Sequence, residues 1–67
     1  MKTVRLSDMD MLKDYEKDTR MAVLAYAAVQ TEITDPALRT LMGRAAVESA
    51  RSQQLTAELI FSRGEHL

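Results

Sequence analysis

Few residues in this 67-residue chain could do chemistry, and Glu48 is the first to test. Helical spacing puts it on the row Leu38, Leu41, Ala45, Glu48, Ser52, Leu55, Leu59. Steps of three and four along that row are those of antiparallel helix packing, so its side chains are expected to face inward. In di-metal carboxylate bundles an inward Glu is followed three residues later by His; here that position is Arg51. The first half of the chain offers no inward acid at matching depth, and Glu32 lies near its far end. One carboxylate without an imidazole cannot complete a transition-metal shell. Glu48 is therefore expected to be a buried polar residue, not a metal ligand. It would be held by Arg44 or Arg51, one turn away on either side, or by a Tyr hydroxyl across a bundle, because buried charges are paired.

The other candidates are weaker. Tyr15 and Tyr26 have no activating neighbour and read as core residues whose hydroxyls reach a polar partner. Ser49, Ser52 and Ser62 have no His at a spacing that would serve as base. His66, the single histidine, lies one residue from the end, and there is no Cys for disulfides or thiolate metal sites. The expectation is no catalytic residue, no metal, no cofactor and no enzymatic activity.

The elements that would position these residues are helices. Asp35-Pro36 marks the break between two long amphipathic segments. Pro is tolerated at the first helical position, and Asp before it is a good N-cap. Ser7 with Asp10 fits a capping box, and Leu6 could staple onto Met11. Gly64 reads as the C′ stop of the second helix. Residues 1–6 read as an extended lead-in. The expected organisation is a single domain over 1–67, with helix 8–33, turn 34–35 and helix 36–63. The first helix would bury Leu12, Tyr15, Thr19, Ala22, Tyr26, Val29 and Ile33. Lys13, Asp14, Glu16, Lys17, Asp18 and Arg20 would form its solvated outer face, where Glu16→Arg20 and Asp14→Lys17 are favourable pairs and Lys13/Lys17 and Asp14/Asp18 oppose them.

Nine basic and ten acidic residues give a net charge of −1. That leaves no broad positive field for a phosphate backbone, so no nucleic-acid partner is expected. The longest apolar run, Met21–Val29, is far short of the ~20 residues of a membrane span. Charges at Arg5, Asp8 and Asp10 follow Met1-Lys2 with no apolar run between, which is unlike a secretory signal. The reading is a soluble protein made in the cytoplasm, without membrane partners.

A two-residue turn makes the helices antiparallel and adjacent. A single core below roughly 70–80 residues is marginal without support. Met21–Val29 is apolar around its full circumference, which marks a helix covered from more than one side. Gly43, Ala46, Ala50 and Ala57, flanked by Met42 and Ile60, form a small-residue strip that would admit another helix closely. The predicted fold is all-α: an antiparallel two-helix hairpin that dimerises into a four-helix bundle. The expected interface is Met21, Ala25, Ala28, Gly43, Ala46, Ala50 and Ile60.

One family resemblance can be drawn from these residues. Leu6-Ser7-Asp8-Met9-Asp10-Met11-Leu12-Lys13-Asp14, the stretch Ala22-Val23-Leu24-Ala25-Tyr26, the turn Asp35-Pro36-Ala37-Leu38-Arg39, Glu48 and Arg63-Gly64 together resemble the coat F (CotF) family of small spore-coat proteins. The resemblance runs from Leu6 to Gly64. It implies a ferritin-like helical hairpin, synthesis in the cytoplasm of the mother cell, a place in the spore coat, and other coat proteins as partners beside a second copy. Two departures stand out. The chain has Ser49-Ala50-Arg51 where members often carry His and more acids, and Glu65-His66-Leu67 where aromatics often follow the final Gly. The function expected is non-catalytic structural assembly through helix–helix self-association. The alternatives are a small regulatory module whose apolar groove takes a partner helix, and a degenerate ferritin-like metal enzyme.

Overall fold

The computed structural model describes residues 7–67. The lead-in and the Leu6 staple lie outside them. Among the described residues there are two helices, α1 (Asp8–Glu32) and α2 (Pro36–Ser62), and no strand. Each helix ends one residue earlier than its sequence pattern suggests, because Ile33 and Arg63 serve as C-caps.

Each boundary has a local cause. Four N–H groups at a helix start and four carbonyls at its end lack helical partners. At the start of α1 the Ser7 hydroxyl accepts from the Asp10 N–H at 3.0 Å, and the Ser7 N–H donates to Asp10 Oδ2 at 3.2 Å. That is a complete capping box with Asp in the acid's place. At the start of α2, Asp35 Oδ1 accepts from the Leu38 N–H at 3.0 Å, and Pro36 fills the first turn, where its missing N–H costs nothing. At the end of α2 the Gly64 N–H reaches the Phe61 carbonyl at 2.9 Å and the Glu65 N–H reaches the Ile60 carbonyl at 3.3 Å. This pair of bonds is a Schellman closure, and it requires the positive φ of 75° that Gly64 adopts.

The helices pack antiparallel on each other in one layer, and the molecule is 13 Å across its thinnest dimension. That is little more than one helix with its side chains. The seam of α1 is Leu12, Glu16, Thr19, Val23, Tyr26, Gln30 and Ile33, all buried or half-buried. The seam of α2 is Met42, Ala46, Ser49, Gln53, Thr56 and Ile60, likewise buried or half-buried. Among the described residues, the only buried apolar side chains are Ala57 and Ile60, and of the two only Ile60 is fully enclosed.

This phase differs from the sequence reading. In α1, Leu12, Thr19, Tyr26 and Ile33 are kept, but Glu16, Val23 and Gln30 replace Tyr15, Ala22 and Val29. In α2 the whole row moves on by one residue, a rotation of about 100° at 3.6 residues per turn. The row of Leu38, Leu41, Leu55 and Leu59 therefore points outward, and those four leucines are exposed. The small-residue strip lies between the two helices of the same chain. The space beside Gly43 is filled by the Gln30 side chain of α1, whose Nε2 would stand 2.7 Å from a Cβ there.

Candidate functional site

Two features stand out once the hairpin is built: a carboxylate in its seam and an apolar face outside it. The carboxylate is Glu16, placed on the solvated face by the sequence reading but fully buried in the structure. Arg20 Nε donates to Glu16 Oε1 at 3.0 Å, and Gln53 Nε2 of α2 reaches the same oxygen at 3.4 Å. Glu16 Oε2 has no hydrogen-bond partner. Thr19, one turn on, turns its hydroxyl onto the carbonyls of Tyr15 and Glu16 at 3.0 and 2.9 Å, so it contributes nothing to that oxygen. The Glu16–Gln53 contact also fixes the register, with residue 16 level with residue 53.

Glu48 occupies the opposite situation. Its side chain is 68% exposed and meets Arg51 Nη1 at 3.5 Å. The sequence expectation of a buried Glu48 is corrected for the single chain, since the one-residue change of phase turns its row to solvent. Arg51 is the partner the structure supplies, from the two arginines and the tyrosines considered. Tyr15 is half exposed, not a core residue. Tyr26 stays in the seam.

The expected interface divides. Ile60 is fully enclosed by its own hairpin, and Gly43, Ala46 and Ala50 are half-buried along the small-residue strip between α1 and α2. Ile60 has no surface left for a second copy, which corrects its place in the expected interface, while Gly43, Ala46 and Ala50 adjoin α1 and stay partly exposed. Met21, Ala25 and Ala28 are exposed.

Residues that the sequence pattern joins as an inner seam form an outward apolar face instead. On α1 the row Tyr15, Ala22, Val29 flanks the seam on the side opposite Arg20 and Ala27. On α2 the row Leu38, Ala45, Ser52, Leu59 flanks it on the side opposite Gly43 and Ala50. In an antiparallel pair the first two rows share one side of the hairpin. The grooves agree: Leu59 lines one with Asp8, Met9 and Leu12, whereas Arg20 and Leu24 line another with Ala50 and Gln53. Leu41 and Leu55 extend the leucine side outward. Its two ends are large and apolar and its middle carries Ala22, Ala45 and Ser52, whereas Glu48 lines a third groove with Gln30, Gly43, Arg44 and Val47.

Among the described residues no group of three or more His, Cys, Asp or Glu is placed to hold a metal ion. No helix among them is long and apolar enough to cross a membrane. The Asp10 carboxyl is held below the ordinary aspartate value, first by the Ser7 backbone N–H and then by the Ser7 hydroxyl. That shift belongs to the helix cap and marks no site. Comparison with protein-family models, with curated proteins and with solved structures finds no match to this chain.

Proposed function

We propose that this chain is a non-catalytic assembly protein that works by helix–helix self-association, in a ferritin-like four-helix bundle, as a component of a bacterial spore coat. The observation that carries the assembly reading is the outward leucine face on a hairpin that buries only Ala57 and Ile60 among its described apolar side chains. Exposed apolar area of this extent is characteristic of a protein–protein interface. The coat assignment rests on the ordered resemblance from Leu6 to Gly64, with other coat proteins as further partners. The same face also fits the second reading, a module that receives one partner helix along an apolar groove.

Two measurements test this. Sedimentation velocity at micromolar concentration is expected to find a dimer. A fluorescent fusion expressed in sporulating cells is expected to collect around the forespore; diffuse signal through the mother cell would overturn the coat assignment.

A further inference from the structure

Two rotations of α2 compete for the seam. The row that faces α1 is Met42, Ala46, Ser49, Gln53, Thr56 and Ile60. Turning α2 about its own axis by about 100°, the angle of one residue, would present Leu38, Leu41, Ala45, Glu48, Ser52, Leu55 and Leu59 instead. Leu38, Leu41, Leu55 and Leu59 are exposed as the hairpin stands. The second rotation would bury these four against α1 in exchange for Ala57 and Ile60, so apolar area alone does not account for the rotation adopted.

Two carboxylates oppose the second rotation. Glu16 is fully buried on α1, and Gln53 Nε2 reaches its Oε1 from α2 at 3.4 Å. Among the described residues this is the one hydrogen bond between side chains of different helices. In the second rotation Ser52 takes the place of Gln53, and its side chain is too short to span a gap that Gln53 only just closes. Glu16, whose Oε2 already lacks a partner, would then lose its donor from α2. Leaving a buried acceptor without a donor is costly. Glu48 adds a second penalty. It is exposed and paired to Arg51, and the turn would carry it into the middle of the seam, level with Met21. Taking a charge out of water without a matched partner is costly too. The rest of the row meets no such obstacle. Ala45 and Ser52 are small and already half-buried, and the flexible Gln30 side chain beside Gly43 can swing aside for Met42.

We propose that Glu16 and Glu48 select the rotation of α2, Glu16 by holding Gln53 in the seam and Glu48 by resisting burial. Both are positioning residues. A buried polar group can fix how helices register at a cost in stability. Here that cost is the unpartnered Oε2 and four leucines left in solvent. The device acts within one chain and stands independently of self-association.

The chain contains no Cys, so introduced cysteine pairs report the rotation directly. With residue 16 level with residue 53, Val23 is level with Ala46. Val23→Cys with Ala46→Cys bridges the seam in the observed rotation, and Val23→Cys with Ala45→Cys bridges it in the other, because a disulfide needs Cα atoms within about 7 Å and Cβ atoms turned toward each other. Oxidation is followed on the full chain at nanomolar concentration, and mass under non-reducing conditions counts only bridges within one chain. In the otherwise native sequence the Val23/Ala46 pair is expected to close about tenfold faster than the Val23/Ala45 pair. Glu16→Leu combined with Glu48→Leu is expected to reverse that order. Either Leu substitution alone is expected to keep it, because the other glutamate still opposes the turn. Glu16→Gln combined with Glu48→Leu is expected to keep it as well, because the amide oxygen still accepts from Gln53. Native order in the double Leu variant overturns the proposal. Equal rates there, as a loosened or unfolded hairpin would give, overturn it too, and so does a faster Val23/Ala45 pair in the native sequence. Reversal by one Leu substitution alone assigns the selection to a single glutamate and overturns the joint role.

Discussion

Replacing Glu16 by Leu should stabilise the protein, against the usual direction of core substitutions. The Glu16 side chain is fully buried, and its Oε2 has no partner. An unsatisfied buried acceptor costs about 1–3 kcal/mol, more if charged. The substitution sacrifices two contacts. The Arg20 pair is anchored by an arginine that is 55% exposed, so after solvent screening it contributes about 0–1 kcal/mol. The Gln53 contact is long at 3.4 Å, and Gln53 is only half-buried and can turn to water; its loss costs at most about 1 kcal/mol. Leu adds apolar volume of similar size in the seam. Apolar replacement of buried ionic groups is often neutral or stabilising. The net expectation is a gain of about 1–2 kcal/mol. For a chain of this length that raises the melting temperature by roughly 4–16 °C. Thermal unfolding at one fixed protomer concentration measures it, because any self-association would shift the transition too. Glu16→Ala is the control: it removes the same unpaired oxygen but leaves a void, and should melt below Glu16→Leu by about 2–3 kcal/mol. A Leu variant less stable than wild type, or no better than the Ala variant, would refute the picture of a dry seam with an unsatisfied carboxylate.

Three further outcomes follow from the helix ends. Asp35→Ala combined with Pro36→Ala removes the cap and the break, at roughly 0.5–2 kcal/mol for the cap; solution scattering should show lengthened or exchanged forms, and an unchanged profile and melting point would count against that role. Gly64→Ala forces an L-residue into the left-handed region that Gly64 occupies at φ 75°; a loss of about 1–2 kcal/mol is expected in urea unfolding. The depressed Asp10 carboxyl gives a pH dependence confined to the start of α1. A group whose pKa is lower in the folded state stabilises it above the unfolded value, about 3.9, and that contribution is lost as pH falls through the folded value. Amide shifts of residues 8–11 should move toward coil on acidification, and Asp10→Asn should remove the transition.

The helix ends were legible because capping chemistry is local: Ser7, Asp10, Asp35, Pro36 and Gly64 each act within four residues of themselves. The rotation of each helix was not, because it depends on what packs against what. Met42 beside Leu41, and Ile60 beside Leu59, make either phase of α2 nearly as apolar as the other. Area alone favours turning leucines inward. Close approach favours Gly43, Ala46, Ala50 and Ala57, and in the single chain close approach wins. A mid-helix glycine was the available signal, since it weakens a helix unless something needs its space. In α1 the unbroken spacing of Met9, Leu12, Glu16, Thr19, Val23, Tyr26, Gln30 and Ile33 was available too. It puts a carboxylate inside, which the cost of burying a charge argues against.

A core of Ala57 and Ile60 has a kinetic meaning as well. Full burial of an Ile contributes about 1.5–3 kcal/mol, little against the entropy of ordering a chain of this length. With so little fully enclosed, neither helix is protected by depth: opening either one costs nearly what opening the whole hairpin costs, so amide exchange along α1 and α2 is fast and nearly uniform instead of graded toward a deep core.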